Sequence, residues 1–267
     1  MTKDDQLKLT QKTAWSLGDF SVIGWNTAFP GELLIESVGV SSGHVILDVA
    51  CGTGNLAISA ARRNCIAHGI DYVPTLIDRA RSRAESEGLT ATFKEADCDV
   101  IPYLDESFDR VFSIFGSMFS PNPRMAFAEL VRVCRAGGRI GLASWTPDGF
   151  WGKTFELISH FSGGPKPETS PVAWGTKEWI AELLGSSGQL LSTSVRVAKF
   201  RFNDTAHWID TFSTYFGPLI SVLNKLGNDQ RKRLIDGLRS VLEEFNCSED
   251  DTLVVGAEYL ELVILKN

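Results

Sequence analysis

The chain has 267 residues, 43% of them apolar, and a formal net charge of −7 at pH 7. That length can bury a sizeable core, in one α/β domain with an embellishment or at most two domains. The acidic balance, with a pI near 5.2, argues against nonspecific nucleic-acid binding, which draws on basic surface.

Residues 5–26 read as a helical lead-in rich in aromatics, with Trp15, Phe20 and Trp25. Pro30 can open a second helix through Ser37, closed by Gly39, in keeping with proline at helix starts and glycine past helix ends. The apolar run Val45-Ile46-Leu47 then leads into Asp48-Val49-Ala50-Cys51-Gly52-Thr53-Gly54-Asn55, and Leu56 to Ala61 follows. That order is strand, tight glycine turn, helix. Gly52 and Gly54 allow a sharp turn and a close ligand, because no Cβ stands in the way. The helix after them offers free N–H groups. Asp71 ends the next apolar run, Cys65 to Ile70. An acid roughly 20 residues past such a turn is placed to hydrogen-bond ribose hydroxyls. The first half is therefore expected to bind a nucleoside-containing cofactor.

Gly52-x-Gly54-x-x-Ala57 also fits a dinucleotide fingerprint read loosely, a weak signal alone. Asp48 opposes that reading, since a pyrophosphate gains nothing from a nearby negative charge, whereas a cation such as an amino group does. No Tyr-x-x-x-Lys constellation for hydride chemistry is recognisable. Further along come a short strand over Phe93 to Asp97, a strand over Ser107 to Ile114, and a helix from Met125 to Cys134. Ala136-Gly137-Gly138 then turns into the strand Arg139 to Trp145. Alternating strands and helices imply parallel strands with right-handed crossovers, and a ligand at the carboxyl ends of the strands.

After Trp145 the rhythm changes. Thr146 to Gly175 is rich in glycine and proline, including Gly163-Gly164-Pro165, and reads as a loop with a short helix. Thr176 to Leu184 is a helix with a threonine cap, Leu190 to Phe202 a long strand, and Asp204 to Phe245 two helices broken at Gly227-Asn228. Thr252 to Leu265 is a final strand.

Four linked motifs in this order carry a resemblance. They are Leu47 to Gly54, then Gly69-Ile70-Asp71, then Ala96-Asp97, then Phe108-Asp109-Arg110-Val111 followed by Arg135-Ala136-Gly137-Gly138. Over residues 44–146 the chain resembles the class I S-adenosylmethionine-dependent methyltransferases, in the small-molecule branch similar to ubiquinone-biosynthesis enzymes. Ala50 stands where many members have glycine, and Ala136 where proline is usual.

The resemblance implies an α/β, Rossmann-like, seven-stranded and mostly parallel sheet, with helices on both faces and a helical lid before the last strand. The expected organisation is a lead-in over 1–40, a core over 41–203 and 247–267, and a lid over 204–246, with the 147–175 loop contributing to the substrate pocket. The implied cofactor is S-adenosylmethionine. Asp48 joins the cofactor site through the charge argument above. The backbone of Ala50, Cys51, Gly52, Thr53 and Gly54 would face the methionine part, Asp71 the ribose, and Tyr72 and Val73 the adenine. Asp97 would accept from the adenine amino group beside the Cys98 backbone, and Ser113, Ile114 and Phe115 would lie near the cofactor's amino group and sulfur. Cys51 and Cys98 read as small fillers rather than as chemistry.

Ser120-Pro121-Asn122-Pro123 occupies the place where the family carries an Asn-Pro-Pro-Tyr-like run in amino-methylating enzymes of nucleic-acid bases. A nucleic-acid substrate is therefore not expected, and Asn122-Pro123 reads as a helix start. Substrate choice is expected to live in the lid and lead-in, where Phe150, Phe161, Trp208, Phe212 and Phe216 add to an aromatic population. Trp25, Phe119, Trp151, Trp174 and Tyr215 are the candidates to touch a planar or lipophilic small molecule. If the acceptor must lose a proton, His160 and His207 are the candidate bases, with Asp148 and Tyr215 behind them. Two other readings stay open: cyclisation or isomerisation in the same pocket without methyl transfer, and a non-catalytic cofactor-binding module.

Five cysteines without C-x-x-C spacing suggest reduced thiols and a cytoplasmic setting. The histidines at 44, 68, 160 and 207 lack metal-ligand spacing, so no metal is expected. The polar N-terminus does not read as a signal peptide, and no apolar run is long enough to span a membrane. The oligomeric state stays open, with a homodimer as one option.

Overall fold

The structure, a computed structural model, describes residues 3–163 and 167–267; Gly164 and Pro165 of the expected loop lie outside them. The lead-in forms α1 (Lys3–Trp15), α2 (Ser21–Gly24) and α3 (Ala28–Val38), joined by a 3₁₀ turn over 25–27. Gly39 ends α3 in the left-handed conformation, at φ +72, as a helix-terminating glycine does. The alternating region follows as β1 (Val45–Val49), α4 (Asn55–Arg62), β2 (Ile66–Asp71), α5 (Pro74–Ser86), β3 (Ala91–Glu95), β4 (Phe108–Ile114), α6 (Pro123–Val133) and β5 (Cys134–Trp145). Then come α7 (Phe150–Ser162), α8 (Lys177–Leu184), β6 (Gly188–Phe202), α9 (Thr205–Tyr215), α10 (Gly217–Leu223), α11 (Asn228–Glu244) and β7 (Leu253–Lys266).

The strands form one sheet in the order β3-β2-β1-β4-β5-β7-β6. β1 to β5 pair in parallel, and β7 runs antiparallel to both β5 and β6. Central β1 buries Ile46, Leu47 and Val49 completely, as a strand covered on both faces must. The chain leaves β1 toward β2 on one side and reaches β4 on the other. The carboxyl ends of β1 and β4 therefore flank the crevice where such sheets bind ligands.

Several local expectations are corrected. The Ala136-Gly137-Gly138 turn lies inside β5, where the register against β4 shifts and Gly137 takes φ +70. The 146–175 region contains the 13-residue α7, so its glycines bracket a full helix. Thr176 stands at the start of α8, but its hydroxyl donates back to the Ala173 carbonyl (2.7 Å) and does not cap the helix. Asn122 likewise precedes α6 without a side-chain cap. The expected pair of lid helices is three, because Phe216-Gly217-Pro218 separates α9 from α10. Pro218 cannot supply the N–H that an uninterrupted helix needs. Gly217 also abuts α1 so closely that a Cβ there would lie 2.1 Å from the Ala14 carbonyl oxygen.

One continuous apolar cluster joins sheet residues such as Ile46 and Val111 with Phe212, Leu219, Leu234 and Leu238 of the 204–246 segment. The insertion shares the core of the sheet and does not build a separate one. α1 docks on α10, and α7 on α11, so lead-in and insertion together roof the carboxyl ends of β1 and β4.

Candidate functional site

The turn after β1 is a ledge of backbone held from below and behind. Asp48, wholly buried at the end of β1, accepts from the Ala57 N–H in the first turn of α4 (3.1 Å). The free N–H expected to face a ligand is thus used inside the protein, tying strand to helix. Burial pushes the Asp48 carboxyl up to about 8; the Ala57 N–H opposes this and the nearby charge of Asp71 adds to it. Asp48 does not line the cavity described below, which corrects its expected role as a direct partner for a ligand cation.

The two glycines of the turn do different work. Gly52, at φ +54, faces the cavity, and a Cβ there would meet only the Phe20 ring at 3.7 Å. Gly54, at φ +80, faces inward, where a Cβ would strike Phe93 at 2.9 Å. Its small size lets α4 settle on the sheet, and it is not a cavity residue, contrary to expectation. Ala50 takes φ +54, the conformation that makes glycine common there. Across the crevice Phe115, after β4, also has φ +54. It is held there by its N–H to the Ala143 carbonyl (2.8 Å) and by stacking on Trp145 at 3.7 Å between ring centroids. Two left-handed non-glycine residues facing one crevice are strain of the kind concentrated at functional sites.

Asp71 ends β2 and is 5% exposed. Its carboxylate accepts from the N–H groups of Gly52 and Val73, both at 2.9 Å. Burial raises it to about 6, against the lowering effect of these backbone donors. Asp97, just past β3, accepts from the Asp99 N–H and pairs with the Lys8 ammonium of α1 at 2.7 Å. Lys8 also reaches buried Asp99, at 2.5 Å. Burial works against the Lys8 charge, but the two carboxylates outweigh it and hold the ammonium above its ordinary pKa. Burial likewise pushes the Cys51 and Cys98 thiols well up, so neither is poised as a nucleophile.

These groups surround a cavity that is open to solvent, with about 880 Å³ of empty space counting its open mouth. Ala50, Cys51, Gly52, Thr53, Asp71, Tyr72, Val73, Asp97, Cys98, Ile114 and Phe115 all line it. Ser113 does not; it is buried, donating to the Val49 carbonyl and accepting from the Ser117 N–H, both at 2.9 Å. The lead-in adds Lys8, Gln11, Trp15, Phe20 and Thr27 to the wall. Nothing local in the sequence marked Lys8 or Gln11 for this position.

A second, smaller cavity, about 420 Å³ counting its open mouth, shares Trp15, Phe20, Thr27, Phe115 and Phe119 with the first. Its remaining wall is Ile23, Trp145, Trp151, Phe155, Phe200, Phe212 and Phe216. Of the expected substrate residues, Phe119 and Trp151 belong here. Trp25 is 58% exposed and outside both cavities, because its turn presents it to solvent. Trp174 is 1% exposed and packs against Phe127 in the core. Tyr215 lines neither cavity. The candidate bases also lie elsewhere. His160 is exposed on α7 beside Phe161. His207 is exposed in the first turn of α9, donating its N–H to Asp204 and accepting at Nδ1 from the Asn203 N–H. Asp148 is exposed as well.

The cavity suits a nucleoside joined to a charged amino acid. It offers a carboxylate at the end of β2, a second past β3, an aromatic ring between them, and a ledge where Gly52 leaves the ligand's space free. A family model described as a methyltransferase domain matches residues 46–138. The uncharacterized protein Rv1405c of Mycobacterium tuberculosis is 34% identical over 230 residues, covering 85% of this chain and 84% of that protein. A demethylmenaquinone methyltransferase of Deinococcus radiodurans is 36% identical over 138 residues, half of this chain and 55% of its own length. A crystal structure of a putative methyltransferase from Bacillus halodurans superposes with a TM-score of 0.65 at 17% identity, covering 88% of this chain and 98% of that one. The chain belongs to the class I S-adenosylmethionine-dependent methyltransferase superfamily, in one family with the mycobacterial protein, and its cofactor is S-adenosylmethionine.

Proposed function

We propose that the protein transfers the cofactor's methyl group to a small, apolar or aromatic acceptor by in-line displacement. The observation that carries this reading is the aromatic chamber opening off the cofactor cavity across Phe115 and Phe119. A pocket with apolar walls selects apolar molecules.

In this reading Asp71 accepts from the ribose hydroxyls and Asp97 from the adenine amino group. Tyr72 and Val73 flank the base, and the Ala50 to Thr53 backbone, with Ile114 and Phe115, holds the methionine end. The bound cofactor supplies an electrophilic methyl group on a sulfonium. The chain's own work is positioning and exclusion of water, which together remove much of the barrier to a displacement. Trp15 and Phe20 line both cavities. The five cysteines are all free thiols, which supports a cytoplasmic setting; among the described residues no helix is long and apolar enough to cross a membrane.

Isothermal titration tests the cofactor half. S-adenosylmethionine and its demethylated product should both bind in the micromolar range, with no heat from NAD. Transfer of isotopically labelled methyl into an organic extract tests the acceptor half. Label that never leaves the cofactor, with tight binding intact, would instead support cyclisation, isomerisation or a non-catalytic module.

A further inference from the structure

The chamber that adjoins the cofactor cavity is made almost wholly of ring faces and edges. Trp151 sits at its centre, 5.3 Å from the ring of Phe155, 5.5 Å from Phe212, 5.8 Å from Phe200 and Phe216, and 5.9 Å from Trp145. Among the described residues, Thr27 alone on the wall carries a side-chain hydroxyl. That hydroxyl is committed, donating to the Gly24 carbonyl at 2.7 Å and accepting from the Asn55 amide at 3.1 Å. No carboxylate, imidazole or ammonium of the described residues is on the wall. Lys8 in the neighbouring cavity is held by Asp97 and Asp99.

Two consequences follow from this composition. The chamber holds no group that can take a proton from an acceptor before transfer. For an anion it has a single buried donor without a partner, the Trp151 indole N–H, while its aromatic faces carry the negative end of the ring quadrupole and attract cations. An ionised phenol or carboxylate would lose its hydration there without a charged partner.

We propose that the acceptor is an uncharged nucleophile that becomes a cation on methylation, such as a weakly basic tertiary amine that is unprotonated at neutral pH, a thioether or an alkene on an apolar frame, and that the chamber's rings stabilise this cation. The inference rests on the methyl-transfer reading and narrows its substrate class. In the transfer, the acceptor's electron pair forms the bond to the methyl carbon. The sulfur–methyl bond breaks with its pair going to sulfur, so the positive charge passes from sulfur to acceptor. No proton moves in this step. The rings act on charge as it develops, which is where electrostatic stabilisation speeds a reaction.

The test compares three probes of one shape on the cofactor-free protein, followed by quenching of tryptophan fluorescence: benzyltrimethylammonium, its neutral carbon analogue neopentylbenzene, and the anion benzylsulfonate. Cation–π attraction should make the ammonium probe bind about fivefold to thirtyfold tighter than the neutral one, with the sulfonate weakest. Phe155→Leu and Phe212→Leu keep the wall apolar while removing a ring, and each should shrink the ammonium preference more than it changes neutral binding. Equal or tighter binding of neopentylbenzene, or preference for the sulfonate, would overturn the proposal. Asp71 and Asp97 of the emptied cofactor cavity also attract cations, so a wild-type preference counts for the chamber only when a folded ring variant reduces it. A folded variant that leaves it unchanged overturns the proposal, and absence of the preference in the wild type does so even if both variants fail to fold. Because no cofactor is present, a negative result here with normal S-adenosylmethionine binding sinks the substrate class alone. Absent cofactor binding sinks the methyl-transfer reading itself. Amine, thioether and alkene acceptors then separate by mass spectrometry of the labelled product.

Discussion

Asp71 and Asp48 are two buried carboxyls with opposite relations to the ligand. Asp71, raised to about 6 by burial, lines the cavity and would accept from ribose hydroxyls, which requires the ionised form. Cofactor affinity should therefore rise with pH through 6. At pH 5 it should be about tenfold weaker than at pH 8, the factor for a group that binds only when ionised. Titration calorimetry across that range checks this, and Asp71→Asn should flatten the profile while weakening binding by about 1–3 kcal/mol. A flat wild-type profile would remove Asp71 from the ribose. Asp48, raised to about 8 by burial, acts on stability. Its folded pKa lies above the ordinary value of 3.8, so the native state holds the proton more tightly than the unfolded chain. Stability conferred by this group is full at low pH and falls as pH rises toward 8. Asp71 is largely ionised by pH 7, which leaves Asp48 as the one of the two still losing its proton between pH 7 and 8. Asp48→Asn should thus flatten the dependence of urea stability on pH in that window. An unchanged slope would mean that Asp48 is ionised well below it.

At the scale of elements, the lead-in helix couples to the site through its contact with α10. Gly217 begins α10 against the Ala14 carbonyl, leaving no room for a methyl group. Gly217→Ala should push α1 off α10, costing about 1–3 kcal/mol as overpacking does. It should also weaken cofactor binding, because Lys8 and Trp15 ride on α1 and line the cavity. A variant that loses stability but binds normally would show that α1 does not shape the site. The sequence made β1, the glycine turn and Asp71 legible, because strand, turn and strand-end acid stand within one stretch and follow local rules. It could not show that Lys8 meets Asp97, which lies 89 residues away. Nor could it show which aromatics face inward. Trp25 and Trp151 look alike in sequence, but one sits on an exposed turn and the other on the buried face of α7. Ser113, one residue before cavity-lining Ile114, points the other way because side chains alternate along a strand.

For the molecule as a whole, the question is whether roof and sheet respond to the cofactor together. Phe212, Leu234 and Leu238 share one apolar cluster with Ile46 and Val111, so the insertion has no core of its own with which to unfold separately. Backbone circular dichroism reads the whole sheet. Of the seven tryptophans, Trp15, Trp151 and Trp208 report on the roof and chamber, and Trp145 on β5. The two signals should melt in one transition, as a single cooperative unit requires. S-adenosylmethionine at one hundred times its dissociation constant should stabilise the fold by about 2.7 kcal/mol. For a chain of this size that is a rise of about 5–10 °C in Tm. Both signals should shift by the same amount, since the ligand touches residues from lead-in and sheet alike. Fluorescence melting first, and moving with ligand while circular dichroism stays put, would instead make the roof an independent unit. The cofactor would then close a separate lid and not stabilise one shared core.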